Sequence, residues 1–263
     1  MDMQLNEKTA LVTGSTAGIG LEIARKLAVE GAHVFVTGRS QAKLDVAVKS
    51  IADSGGKNVT GVAADVGTAE GVVRLVKAVP HVDILVNNLG IYESKAFGDI
   101  TDADWLGIFE INVMSGVRLA RAYFPQMLKR NWGRIIFISS ESGLVIPSDM
   151  IHYGMTKSAQ LSIARGLANL TKGTRVTVNT VMPGPTRSEG IADFLRSVAS
   201  DPNAPVDEQE AEFFARGRPS SLLQRMIEPE EIANMVTYLA SPLSAATNGA
   251  ALRAEGGITP TIA

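Results

Sequence analysis

A chain of 263 residues, 45% of them hydrophobic, is long enough to bury one large core. Its 25 basic and 27 acidic side chains leave a formal net charge of -2 and no broad field, which argues against nucleic acid or an anionic membrane as partner and for a small substrate. Cysteine is absent and His33, His81 and His152 lie far apart, so disulfides, thiolate chemistry and a metal site are not expected. The first eight residues carry no apolar signal core, and no segment approaches the roughly 18 uninterrupted apolar residues of a membrane helix, so the expectation is a cytoplasmic protein.

The elements follow one another in a regular alternation. Thr9 to Val12 predicts a strand that runs into a glycine turn, and Ile19 to Leu27 continues at helical spacing through Ile23, Ala24 and Leu27. His33 to Thr37 predicts the second strand; Leu44, Val48 and Ile51 mark a helix face, and Val59 to Ala64 a third strand. A helix near Ala69 to Val79, a strand at Val82 to Val86, a long helix from about Asp102 to Lys129 and a strand at Arg134 to Ile138 come next. Then follow a helix from about His152 to Leu170, a strand at Val176 to Met182, a charged helical region, a helix after Pro229 and a short strand near Ala250 to Arg253. Strands alternating with helices imply right-handed crossovers, hence an α/β fold with a doubly wound parallel sheet flanked by helices on both faces. With no Pro/Gly/Ser-rich linker and no repeat, residues 1–263 are expected to form a single domain.

Two motifs carry chemistry. In Gly14-x-x-x-Gly18-x-Gly20 a strand leads directly into a helix, so the glycines let backbone N–H groups at the helix start approach a pyrophosphate. A glycine turn of this kind also serves purely structural ends; its place in the first βα unit favours the phosphate. Tyr153 and Lys157 stand one helical turn apart, where an ammonium can lower the phenol pKa from its usual value of about 10. A serine before them, Ser139 or Ser140 by spacing alone, completes a proton-donating group.

Thr13-Gly14-x-x-x-Gly18-Ile19-Gly20 together with Tyr153-x-x-x-Lys157 resembles the short-chain dehydrogenase/reductase family. Asp65, Asn87-Asn88-Leu89-Gly90, Asn112, Ser140 and Pro183-Gly184 fall in the same order, and the resemblance covers nearly the whole chain. It implies a Rossmann fold and an enzyme that transfers a hydride between NADP(H) or NAD(H) and a carbonyl or secondary alcohol. It implies Tyr153 as acid/base, Lys157 as its cation and ribose anchor, Ser140 as the group that holds the substrate oxygen, and Asn112 as the holder of a relay water. For the cofactor it implies Gly14, Ser15, Thr16, Ala17, Gly18, Ile19 and Gly20 at the pyrophosphate, Asp65 and Val66 at the adenine, and Asn88 and Gly90 along its length. Thr186 and Ser188 are implied beside the carboxamide. At the end of the second strand Gly38 stands where an acid would accept a ribose 2′-OH, and Arg39 follows, which favours NADP(H). Ala17, where many NADP-using relatives carry a second basic residue, pulls the other way.

The resemblance also implies a homotetramer built partly from the helices of Asp102 to Lys129 and His152 to Leu170. Leu89, Ser188 and Ala254-Glu255-Gly256-Gly257 depart from the family pattern without removing a catalytic group. Substrate choice is expected from Ile91 to Phe97, Glu141 to Met150 and a substrate lid at about 187–225, in which Phe194, Leu195, Phe213 and Phe214 offer apolar surface to a ligand, a subunit or the core. Small ketones, ring alcohols and 3-oxoacyl thioesters are equally compatible with this pattern. The alternative from another class is a catalytically silent dinucleotide-binding regulatory module, against which Ser140, Tyr153, Lys157 and Asn112 argue together.

Overall fold

Seven short apolar runs become strands: β1 (Thr9–Val12), β2 (His33–Gly38), β3 (Val59–Ala63), β4 (Ile84–Asn87), β5 (Gly133–Ile138), β6 (Val176–Pro183) and β7 (Ala251–Ala254). In the computed structural model, which describes residues 1–188 and 190–262, they form one parallel sheet in the order β3-β2-β1-β4-β5-β6-β7. Glu189, at the start of the long segment after β6, and Ala263 lie outside the described residues.

Side chains alternate across the strands, and each face is closed by helices. Val12, Val36, Val86 and Ile136 pack with Ile23 and Leu27 of α1 (Gly18–Val29) and with Ile232 and Val236 of α9 (Pro229–Ala240). On the other face Leu11, Leu85, Ile135 and Phe137 meet Leu75 of α3 (Ala69–Ala78), Leu119 and Tyr123 of α5 (Ser115–Arg130) and Ala164 of α6 (Ile151–Asn169). Strands β4, β5 and β6 are buried along their whole length, as a sheet covered on both faces requires. The remaining early helix, α2 (Gln41–Asp53), is capped at its start by the Ser40 hydroxyl and buries Leu44 and Ile51.

The strand order reverses between β1 and β4, which opens a crevice beyond their carboxyl ends. The glycine turn follows β1, Asn88 follows β4, Ser140 follows β5 and Gly184 follows β6, so one crevice edge collects the motifs read from the sequence.

The long helix expected from Asp102 to Lys129 is interrupted. It consists of α4 (Asp102–Phe109), a π-helical turn at Glu110–Met114, and α5. The wider turn holds Asn112, whose amide bonds both the N–H and the carbonyl of Ile91 at 2.8 and 2.9 Å and donates to Thr156 Oγ1 at 3.1 Å. Its backbone carbonyl, loosened from the regular ladder, accepts from Gln160 Nε2 at 2.7 Å. Periodicity alone does not register such a turn, because the apolar stripe continues through it.

The charged region after β6 is a pair of helices, α7 (Ile191–Val198) and α8 (Val206–Gly217). Leu195 and Phe214 are fully buried with Met226 in a small core of their own, whereas Phe194 and Phe213 turn toward the crevice. The pair is tied to the body by Arg187, which bonds Glu210 of α8 and Glu228, and by a bridge from Thr186 to Ile227.

Candidate active site

The glycine turn is held by side chains that point inward. Gly14 and Gly18 have φ of +61° and +55°, a region that side chains beyond glycine rarely adopt. A Cβ on Gly20 would lie 2.4 Å from the carbonyl oxygen of Gly14, so the third glycine lets α1 start directly against the turn. Thr13 Oγ1 accepts from the N–H groups of Asn88 and Leu89, and Asn88 Nδ2 donates to the carbonyls of Thr13 and Gly14 at 2.9 and 3.2 Å. Asn88 thus clamps the turn from β4. Ser15 is fully buried; its hydroxyl donates to Val12 and accepts from Thr37, and its N–H is bonded to Thr37, so its polar groups belong to the β1–β2 seam. No side chain caps α1 at Ala17, which leaves the first amides of the helix to whatever fills the crevice.

Two cavities of about 440 and 370 Å³ lie on either side of this turn. Gly14, Thr16, Gly38, Arg39, Asp65 and Val66 line the first. Asp65 Oδ1 accepts from Gly67 N at 3.1 Å, an Asx turn at the end of β3. Leu89 leans into the apolar face beneath and closes the cavity floor. A Cβ on Gly38 would stand 2.6 Å from Thr16 Cγ2, so no acid is accommodated there unless Thr16 moves. Arg39 is exposed beside it, and no hydrogen bond or ion pair to the described residues holds its guanidinium. Two cavities on either side of an uncapped helix start suit two nucleosides linked by a pyrophosphate. The residues present therefore fit a dinucleotide.

The second cavity gathers Ala17, Ile19 and Gly20 with Ser140, Tyr153 and Lys157. Lys157 Nζ donates to the Ile138 carbonyl at 3.0 Å and lies 5.4 Å from the centre of the Tyr153 ring. A Cβ on Gly90 would meet Lys157 Nζ at 3.4 Å and Asn112 Oδ1 at 3.6 Å, so Gly90 sits directly against that amine. The two neighbouring serines diverge. Ser139 Oγ donates to the Lys157 carbonyl at 2.9 Å and serves α6, whereas Ser140 Oγ lies in the cavity, accepts from Ser142 N and donates to Glu141 Oε2. Thr186 Oγ1 bonds the Gly184 carbonyl at 2.8 Å, and Ser188 is exposed at the cavity rim. Asn112 lies behind Lys157 rather than on the cavity surface, its amide spent on Ile91 and Thr156. His152 turns away from Tyr153 and packs edge-on against Trp105.

Burial dominates the electrostatics. It pushes the Tyr153 phenol well above its ordinary value, and the charge of Glu141 adds to the rise while the hydrogen bond with Ser140 opposes it. Burial lowers the Lys157 ammonium to about 8, against the upward pull of Glu141. Tyr153 is thus kept protonated near neutrality, beside an amine that titrates not far above it.

A family model described as short chain dehydrogenase matches residues 8–197. The chain belongs to that family. It is 51% identical over 263 residues to the uncharacterized oxidoreductase YvaG of Bacillus subtilis, with all of both chains covered. It is 31% identical over 262 residues to a 3-oxoacyl-[acyl-carrier-protein] reductase of Aquifex aeolicus, covering 98% of this chain and 100% of the relative. The L-sorbose reductase of Gluconobacter frateurii, solved in complex with NADPH and L-sorbose, superposes with a TM-score of 0.93 at 31% identity over the whole of both chains. This short chain dehydrogenase is accordingly an oxidoreductase acting on a CH–OH or C=O group.

Four side chains in or beside the site escaped individual notice in the sequence. Glu141, buried at 4% exposure, follows Ser140 directly; Arg218, from the end of α8, reaches Glu141 Oε1 at 3.4 Å. Tyr92 stands edge-on to Tyr153 with ring centres 6.2 Å apart, and Thr156 supports Asn112. An acid at a strand end is an ordinary turn residue by pattern, and Arg218 is 77 residues away from its partner, so neither carries a local signal.

Proposed function

We propose that this short chain dehydrogenase is an NADP(H)-dependent enzyme that interconverts a carbonyl compound and its alcohol, with Tyr153 as the acid/base. One observation carries the reading: the phenol, the amine and the serine hydroxyl share a cavity with the start of α1, so a dinucleotide on the glycine turn ends beside the proton donor. The likeness to a reductase complexed with NADPH and a ketose supports both the cofactor and the carbonyl.

When bound, the nicotinamide ring supplies or accepts the hydride. The remaining chemistry belongs to the chain. Ser140 turns its one hydroxyl proton from Glu141 to the carbonyl oxygen and sets its direction; Tyr153 gives its proton to that oxygen as negative charge develops; the Lys157 ammonium stabilises the phenolate that remains. Asn112, by bonding both the N–H and the carbonyl of Ile91, keeps Gly90 against Lys157 and so keeps the amine in place. The choice of NADP(H) is supported by Thr16, which would have to move to admit an acid at Gly38, and by the guanidinium of Arg39, which no described residue pairs and which suits a 2′-phosphate. Asp65 and Val66 receive the adenine in this reading, and Thr186 and Ser188 the carboxamide. Residues 187–225 act as the substrate lid, and a homotetramer is the working assembly.

The test is loss of reduced-nicotinamide absorbance with NADPH and NADH in parallel over a panel of ketones, hydroxyketones and 3-oxoacyl thioesters. Turnover with NADPH preferred is the expected result. Absence of turnover with every carbonyl overturns the reading; a nucleotide still bound by titration would then leave the catalytically silent module, and absence of binding would remove the dinucleotide as well.

A further inference from the structure

A carboxylate in a largely apolar cavity calls for a partner, because an ionised acid withdrawn from water loses several kcal/mol of solvation unless its lone pairs are met. Glu141 is in that position. Its Oε2 accepts from Ser140 Oγ, and its Oε1 faces Arg218 Nε at 3.4 Å, at the outer limit of a hydrogen bond. The guanidinium is turned elsewhere: it does not form a two-pronged pair with the acid, and its Nη1 bonds the Gly217 carbonyl at 2.8 Å. Two carboxylate oxygens offer about four acceptor sites, so two such partners leave roughly half of them unused. The wall across the cavity is apolar, formed by Met150, Ile191, Phe194, Phe213 and Met226, and supplies no donor.

A hydroxyl on the substrate supplies such a donor. Glu141 is bonded to the same hydroxyl that meets the reacting oxygen, so the carbon next to the reacting carbon is the part of the substrate nearest to it. An anion there is repelled, and a methyl group leaves the carboxylate unmet. We propose that Glu141 is a specificity-determining residue that accepts a hydrogen bond from a hydroxyl on the carbon next to the reacting carbon, so that the substrates are α-hydroxyketones and their vicinal-diol products. This rests on the carbonyl–alcohol reading above and narrows it. The apolar wall then faces the far side of the substrate, and Arg218, which lines the same cavity, restrains the acid. The charge of Glu141 also works against formation of the Tyr153 phenolate, a disadvantage that selection for such a hydroxyl offsets.

The experiment compares hydroxyacetone with butanone, which differ by a hydroxyl in place of a methyl, using the full-length wild type, Glu141→Gln and Glu141→Leu with NADPH. The wild type is expected to favour hydroxyacetone in kcat/KM by about tenfold or more, the worth of a hydrogen bond to a charged group. Glu141→Gln should bring that ratio down by about tenfold, mostly through KM, and Glu141→Leu should reverse the preference. Thermal unfolding of each variant, with NADPH titration, establishes that a lost rate is not a lost fold. A wild-type ratio at or below one overturns the proposal while leaving the carbonyl–alcohol reading intact. So does an equal fall of both substrates in Glu141→Gln, which would make Glu141 a positioning residue for Ser140 alone. Failure of the wild type on every carbonyl of the panel overturns both.

Discussion

At the β2 end of the crevice the structure is built from main chain and from missing side chains: Gly14, Gly18 and Gly20 shape the turn, Gly38 leaves room beside Thr16, and the amides at the start of α1 point outward uncapped. At the α6 end it is built from ionisable side chains forced together, with Tyr153, Lys157, Glu141 and Arg218 drawn from three separate stretches of chain. The first end is local, rigid and tolerant of no added atom. The second depends on charge balance across the fold, where Glu141 holds both the Tyr153 phenol and the Lys157 ammonium up. A single groove thus combines a geometric half and an electrostatic half, and each should fail in its own way.

Removing the proton donor should have the largest effect. Tyr153→Phe is expected to lower kcat for carbonyl reduction by about 10²–10⁴-fold while leaving NADPH affinity nearly unchanged, because only the acid is lost. Steady-state rates set against a fluorescence titration of NADPH check this, and turnover near the wild-type level would remove Tyr153 from the mechanism. The geometric half is broken by Gly20→Ala, whose Cβ would press on the Gly14 carbonyl and the Asn88 amide at 2.4 Å. A loss of about 1–3 kcal/mol in stability is expected, with NADPH binding weakened by about tenfold or more, as the turn opens. Normal binding together with an unshifted unfolding midpoint would show that the turn yields easily.

Arg39→Ala separates the two nucleotides. NADPH binding should weaken by about tenfold and NADH binding should hold, since only the former brings a 2′-phosphate. Equal weakening of both would take Arg39 away from that phosphate. The smallest and most diagnostic effect belongs to pH. Lys157 carries its charge below about 8, so kcat/KM for reduction should be full there and fall as pH rises through that value, the Tyr153 phenol remaining protonated throughout. Glu141 holds the ammonium up, so Glu141→Gln should move this falling limb to lower pH. A limb that stays in place would separate Glu141 from Lys157.

The motifs visible in the sequence are those whose spacing lies within one strand–turn–helix unit or one helical turn. Gly14, Gly18 and Gly20 belong together because a strand delivers them to a helix start, and Tyr153 and Lys157 because four residues make a turn. The alternation that leads to the parallel sheet is legible for the same reason. Less was visible wherever partners are distant. Ser139 and Ser140 are equivalent by spacing; in the fold one hydroxyl serves the α6 backbone and the other faces the cavity. Asn88, expected along the cofactor, spends its amide on the carbonyls of the glycine turn. Phe194, Leu195, Phe213 and Phe214 look alike as apolar residues of charged helices, yet two bury themselves and two line the cavity.

The sequence by itself determined the order of strands and helices, the position of the phosphate turn and the pairing of phenol with amine, because short-range sterics and periodicity settle these within a few residues. The strand order with its crevice between β1 and β4, the π turn that presents Asn112, and the meeting of Glu141 with Arg218 were decided by tertiary structure alone. Each of these depends on which surfaces of distant segments pack together and which buried polar groups must then find partners, a condition that exists only once the chain has closed on itself.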